Sequence, residues 1–297
     1  MRVFVTGATG YVGRPLVQAL LAEGHQVVSL ERPGSRRRWA PAGVTVATGN
    51  ILQPAGLAAA MAGCDAVIHL VGIIREVRRR GITMDSVHRQ GTEHLLAAAQ
   101  AAGVRRWLQM SALGTRAGAT SGYHRSKWAG EEAVRRSGLD WTIFRPSVVF
   151  GAGGPGPNFV QQLADLVRLA PVVPVIGDGT APLQPVGVRD VARAFARALV
   201  TPASIGKTYE VGGPAVVTYE EILRAIAAHY GKKLRPLHLP IGLMAALVPA
   251  LQHAPGFPLT MDQLTMLREG NACADGESIW RDLGLTPEPF RVELPGR

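Results

Sequence analysis

The chain has 297 residues, 47% of them hydrophobic and 18% charged, with 35 glycines and a formal net charge of +10. That length holds one large domain or two small ones, and the composition excludes a disordered or collagen-like chain. Two cysteines, Cys64 and Cys273, are too few for a disulfide framework and belong to no metal-ligand spacing.

The first half reads as strict alternation. Val3 to Thr6 is a predicted strand, Val12 to Glu23 a helix stopped by Gly24, and Gln26 to Leu30 a second strand. Then come Val44 to Ala47 (strand), Pro54 to Ala62 (helix), Ala66 to Val71 (strand) and a long helix through Gly91 to Ala102. Trp107 to Met110, a helix following Tyr123, and Trp141 to Phe144 complete six strand units. Such alternation predicts an α/β fold, a Rossmann-type doubly wound parallel sheet covered on both faces.

After Phe150 the pattern loosens. Gly151 to Pro157 reads as an irregular loop on the substrate side, while a helix at Asp190 to Leu199 and a strand at Thr208 to Val211 are expected to return to the main sheet. The tail from Tyr219 reads as a small, mostly helical C-terminal lobe broken at Pro236, Pro240, Pro249, Pro255 and Pro258. The expected division is a core of residues 1–150 with 185–212, and a substrate or partner lobe of 151–184 and 213–297. Within that lobe the apolar run Ile241 to Leu251 is too short to span a bilayer, which takes ~20 residues. It reads as a core helix, with a pocket lid, a partner-docking face or a membrane-surface role as the alternatives.

The N-terminus enters a strand at once and shows no leader pattern, so cytoplasmic residence is expected, with a peripheral place at the inner membrane face as the alternative. Two arginine clusters, Arg36-Arg37-Arg38 and Arg75 with Arg78-Arg79-Arg80, are not interleaved with aromatics, and no nucleic acid is expected.

Gly7-Ala8-Thr9-Gly10-Tyr11-Val12-Gly13 lies between the first strand and the first helix. Glycines there allow a tight turn and close backbone approach, and the helix start offers free N–H groups to a pyrophosphate. The second strand should end near the residue that reads the adenosine ribose, roughly 20 residues beyond the glycines. Glu31 stands there and suits NAD; Arg32 and Arg36 beside it suit a 2′-phosphate. NADP(H) is slightly favoured over NAD(H).

Tyr123-His124-Arg125-Ser126-Lys127 sets a phenol and an ammonium four residues apart, on one face of a helix, with Ser111 at a preceding strand end. A nearby cation would help a phenol, whose ordinary pKa is about 10, to exchange a proton near neutrality. Together with the glycine pattern, these residues resemble the short-chain dehydrogenase/reductase superfamily over nearly the whole chain. The resemblance implies that Ser111 polarises a substrate oxygen, that Tyr123 transfers the proton, and that Lys127 holds the nicotinamide ribose and lowers the Tyr123 pKa. It also implies Asn50 and Ile51 near the adenine, Leu70, Val71 and Gly72 after the fourth strand, and Pro146, Ser147 and Val148 beside the nicotinamide.

A finer resemblance, carried by His69 to Glu76, Met110 to Gly114, Arg145 to Gly151 and Gly206 to Glu210, is to the family of the NADPH-binding accessory subunit of respiratory complex I and its bacterial relatives. The chain departs from the extended enzymes at His88, where they usually carry Asn, and in the short Ser-Ala-Leu-Gly after the fifth strand. His69 reads as a satisfied core histidine rather than a ligand, and His88 as a packing residue, with reach to a water or backbone group as the alternative; Asn158 reads as a helix cap, with a substrate contact as the alternative, and Asp190 as a helix cap. The expected function is an NAD(P)(H)-dependent oxidoreductase or epimerase acting on a small carbonyl or hydroxyl substrate. The alternative is a non-catalytic NADPH-binding accessory or assembly protein of a respiratory complex I or quinone-linked system.

Overall fold

The computed structural model describes residues 1–35, 39–156, 158–170, 172–251 and 261–293. Arg36, Pro255 and Pro258 therefore lie outside the described residues.

Six strands come first: β1 (Arg2–Thr6), β2 (Gln26–Glu31), β3 (Val44–Thr48), β4 (Ala66–His69), β5 (Arg106–Met110) and β6 (Asp140–Pro146). Short strands β7 (Val149–Phe150), β8 (Val173–Ile176), β9 (Pro182–Leu183) and β10 (Val186–Gly187) precede β11 (Lys207–Val211), and β12 (Val217–Thr218) and β13 (Pro236–Leu239) follow. Between them run α1 (Gly13–Ala22), α2 (Leu57–Met61), α3 (Gly91–Ala101), α4 (Gly122–Arg136), α5 (Phe159–Leu169) and α6 (Val188–Leu199), then α7 (Tyr219–His229), α8 (Ile241–Leu251), α9 (Met261–Glu269) and α10 (Ser278–Leu283).

Seven parallel strands form the central sheet in the order β11-β6-β5-β4-β1-β2-β3. Its central strands β1 and β4 are apolar runs buried from both sides, as a parallel sheet between helix layers requires, while the edge strand β3 is largely exposed. Leu16, Val17 and Leu20 of α1 and Phe195 of α6 pack on one face, with Phe195 stacked on Phe144 at 4.0 Å between ring centroids. Leu57, Met61 and Leu95 from α2 and α3 cover the other face around Trp107. Each such side chain contributes ~1.5–3 kcal/mol on full burial. The strand order reverses between β1 and β4, and ligands of open α/β sheets bind outside the carboxyl ends at such a reversal.

Val160, Leu163, Val175, Ile222 and Ile226 form a separate apolar cluster beyond that edge. Two cap readings part here. Asn158 caps α5, its Oδ1 accepting from Gln161 N at 3.3 Å. Asp190 is not a cap: Gly187 holds that position, and Asp190 sits inside the first turn of α6. Its carboxylate accepts from Glu288 N at 2.8 Å and pairs with Arg193, so a contact from the distant C-terminal segment claims it. Pro249 likewise does not break its helix but lies within α8. A second short parallel ribbon, β8 with β13, begins at Pro236.

Candidate active site

The glycine turn follows β1. Gly7 adopts φ +78°, and Gly10 N donates to Gly7 O at 2.9 Å. A Cβ on Gly13 would stand 2.1 Å from Gly7 O, so only glycine lets α1 start so close beneath the turn. A Cβ on Gly7 would reach to 3.3 Å from Leu70 Cβ, which sets the turn directly beside the chain leaving β4. Val12 begins α1 without a side-chain cap, and the first turn has no acidic residue, so the helix start keeps donors and positive potential for an anion. Thr9, Tyr11 and Val12 are half-buried around it.

At the tip of β2 Glu31 is 8% exposed, and its Oε1 is buried without a hydrogen-bond partner among the described residues. Such an orphaned acceptor suits a ribose hydroxyl. Arg32 beside it is exposed. Asn50 Oδ1 accepts from Leu52 N, while Ile51 is buried and its carbonyl lies 2.8 Å from His94 Nδ1. The cradle and the orphaned carboxylate fit a dinucleotide.

Leu70 and Val71 are half-buried, and Gly72 is exposed at the mouth. A Cβ on Gly72 would stand 2.8 Å from Lys127 Nζ and 3.3 Å from His88 Nε2. Ser121 caps α4 by accepting from His124 N at 3.0 Å, and this fixes the first turn carrying Tyr123. The Lys127 ammonium lies 6.0 Å from the Tyr123 ring centroid and donates to Met110 O at 3.3 Å, one residue before Ser111. Ser111 is buried, its N–H donating to Phe144 O at 2.7 Å and its hydroxyl facing Thr115 Oγ1 at 3.4 Å.

Burial pulls the Lys127 pKa down to about 8, against the pull of the Glu131 carboxylate. Burial pushes the Tyr123 phenol up to about 12. The expectation that Lys127 lowers the Tyr123 pKa is therefore not met by the protein's own groups. Desolvation of the phenolate outweighs an ammonium seated at this distance.

His88 is no mere packing residue. It sits in a π-helical turn, Ser86–Gln90, that leads into α3. Its Nε2 accepts from Ile73 N at 2.9 Å, and its Nδ1 lies 2.8 Å from Ser126 Oγ. Ser126 Oγ in turn donates to Tyr123 O at 2.7 Å. A Cβ on Gly130 would come within 2.4 Å of His88 O, so a glycine lets α4 press against this turn. Desolvation and Lys127 push the His88 pKa down to about 2, keeping the ring neutral. His69 is buried in β4, with Nδ1 2.6 Å from Thr6 Oγ1; its Nε2 has no partner among the described residues, and burial brings its pKa down to about 3.

Pro146, the last residue of β6, and Ser147 after it are buried, and Val148 is half-buried. The Ser147 hydroxyl turns to Asn271, at 2.8 Å from its carbonyl, and Asn271 Oδ1 also accepts from Val148 N at 2.8 Å. The loop after Phe150 touches the first glycine turn: Gly154 N donates to Tyr11 O at 2.8 Å and the Tyr11 hydroxyl donates to Gly151 O at 3.0 Å. It thus lies on the glycine turn. A run rich in Gly and Pro has no periodicity that could have placed it.

Ser126 and Glu131 were not singled out from the sequence. Glu131 is fully buried behind Lys127 and holds Arg135 and Arg145, each at 2.6 Å. The spacing of Ser126, Lys127 and Glu131 along one helix was the available signal, but the partners lie on other elements.

A doubly wound sheet, a glycine cradle at its reversal point, and Tyr123 and Lys127 on one helix define an NAD(P)-binding protein of the short-chain dehydrogenase/reductase type. The family model described as "NAD dependent epimerase/dehydratase family" matches residues 3–212, and the chain belongs to that family. It is 32% identical to "NADH dehydrogenase [ubiquinone] 1 alpha subcomplex subunit 9, mitochondrial" of Arabidopsis thaliana, covering 97% of this chain and 74% of that protein. It is also 32% identical to "Ceramide reductase" of Caulobacter vibrioides (strain NA1000 / CB15N), over 80% of this chain and 73% of the relative. Among solved structures, that of gox2253 superposes with a TM-score of 0.77 at 25% identity, over 97% of this chain and 93% of that one.

Proposed function

We propose that the protein is an NADPH-dependent reductase of a small carbonyl-bearing substrate. The observation that carries this is the placement of three groups: the Lys127 ammonium lies 6.0 Å from the Tyr123 ring centroid and donates to Met110 O, the residue before the buried Ser111. A phenol that holds its proton is a donor, which is what a carbonyl oxygen gaining negative charge needs. Bound nicotinamide would supply the redox equivalent. Ser111 would orient the substrate oxygen, Tyr123 would donate its proton to it, and Lys127 would hold the nicotinamide ribose and stabilise the phenolate left behind.

Gly7, Gly10 and Gly13 would cradle the pyrophosphate, with Thr9, Tyr11 and Val12 around it. Glu31 would take a ribose hydroxyl and Arg32 the 2′-phosphate. Asn50 and Ile51 would border the adenine; Leu70 to Gly72 and Pro146 to Val148 would line the nicotinamide end. Residues 1–150 with 185–212 would form the cofactor core, and 151–184 with 213–297 the substrate or partner lobe.

The test is a panel of carbonyl compounds, nucleotide-sugars, quinones and ceramide, followed by nicotinamide absorbance in wild type and Tyr123→Phe. Turnover in the wild type that Tyr123→Phe loses, with NADPH binding retained, supports the reading. NADPH binding without turnover on the whole panel favours the second reading, a cofactor-holding accessory protein of a respiratory or quinone-linked complex at the inner face of the membrane. That reading is favoured by the similarity to the Arabidopsis NADH dehydrogenase subunit, which aligns over nearly the whole chain.

A further inference from the structure

The lobe beyond the sheet edge presents a surface that cofactor binding does not use. Helix α8 carries no polar side chain, yet it is only half covered. Met244 and Val248 are buried, with Leu264 beside them, while Leu243 and Leu247 are 48% and 43% exposed on the opposite side. Gly242, Ala246, Pro249 and Ala250 extend that side, so the solvent-facing half of the helix is apolar throughout. Leu237 on β13 and Leu169 at the end of α5 are exposed as well. An apolar helix face left to solvent in this way marks an interaction surface.

The segment that carries the face is rich in cations. No Asp or Glu occurs between Glu221 and Asp262. Lys232, Lys233 and Arg235 are exposed immediately before β13, and Lys232 Nζ donates to Arg168 O at 2.7 Å, which brings Arg168 into the same group. The nearby carboxylates are engaged. Glu220 holds Arg224 and His238, Asp165 lies 3.7 Å from Arg168, and Asp178 accepts from Thr180.

We propose that this face, α8 with the exposed β13 edge and its four flanking cations, docks on the surface of an anionic lipid bilayer. Apolar side chains that enter the headgroup boundary and cations that meet lipid phosphates are the two contributions that hold peripheral proteins on membranes. A helix of this length does not span: among the described residues no helix is long and apolar enough to cross a membrane. The inference deepens the membrane-face location named above and does not depend on catalysis.

The full chain is floated with phosphatidylglycerol–phosphatidylcholine vesicles and with pure phosphatidylcholine vesicles. The expected result is binding to the anionic vesicles that weakens with salt, and at least ~10-fold weaker binding to the neutral ones. Leu243→Asp with Leu247→Asp, and separately Lys232→Glu with Lys233→Glu and Arg235→Glu, each lose vesicle binding by a similar factor while NADPH affinity and melting temperature hold. Arg78→Glu with Arg79→Glu and Arg80→Glu, exposed cations outside this face, controls for net charge and retains binding. No binding by the wild type overturns the proposal. So does equal loss in the Arg78 to Arg80 variant, or an α8 variant that changes only a self-association equilibrium, which would make the occupant a second copy of the chain. None of these outcomes touches nucleotide binding, so the catalytic reading stands or falls separately.

Discussion

Nδ1 of His88 and Oγ of Ser126 lie 2.8 Å apart, and the direction of that bond is set at the other side of the ring. Because Nε2 accepts from Ile73 N, the proton of a neutral ring is on Nδ1, which donates to Ser126; the serine proton then goes to Tyr123 O. The chain from β4 through the π-turn to the first turn of α4 therefore has one consistent polarity. It clamps the backbone of Tyr123 to the loop that follows β4.

Removing either member leaves a buried donor unsatisfied. Ser126→Ala strands the His88 Nδ1–H, and His88→Leu strands the Ile73 N–H; each should cost ~1–3 kcal/mol in urea unfolding at pH 7. The double variant should cost less than the sum, since the two share one chain of bonds. Additive losses would show that the residues act independently.

Acid sensitivity follows from the same ring and from His69. Their folded pKa values, about 2 and about 3, lie below the ordinary 6.5. Between those limits the unfolded chain binds protons that the folded chain refuses, so stability is complete above about 6.5 and falls as pH drops. The slope approaches ~1.4 kcal/mol per pH unit for each histidine. Melting temperature measured from pH 7 to pH 4.5 should decline steeply, and less steeply in His88→Asn, which has no imidazole to protonate. Equal slopes would locate the acid sensitivity elsewhere.

Much of this was legible in the sequence, and what was not has a physical reason. The glycine turn, the β/α alternation and the Tyr123–Lys127 face are local patterns, fixed by turn geometry and helix period. The His88–Ser126 bond joins residues on different helices, and nothing in either segment announces the other. Asp190 looked like a cap because its neighbours begin a helix, but the C-terminal segment claims its carboxylate. Pro249 looked like a break, yet α8 runs through it and forgoes the one hydrogen bond that its missing N–H would have made.

On the proposed reading, cofactor choice turns on Glu31 and Arg32. Arg32→Ala should weaken NADPH binding about 10-fold or more and leave NADH nearly unchanged, because only the 2′-phosphate loses a charged partner. Glu31→Gln should strengthen NADPH relative to NADH by removing a buried carboxylate near that phosphate. Calorimetry with both nucleotides checks each; parallel losses for NADH and NADPH in Arg32→Ala would take the 2′-phosphate away from Arg32.

Lys127 predicts the alkaline limit of nucleotide binding. Its folded pKa, lowered to about 8 by burial, means the ammonium is present at neutral pH and is lost as pH rises through about 8. NADPH affinity should therefore decline across that range in the wild type, and Lys127→Met should bind weakly with no such inflection. Stability moves with the opposite sign. Lowering this pKa destabilises the fold below pH 8, where the unfolded lysine holds its proton more tightly, and the penalty fades as pH rises toward the ordinary 10.5. Affinity and stability thus diverge above pH 8, and titrating both on one sample separates the role of Lys127 in holding nucleotide from a general alkaline loss of structure.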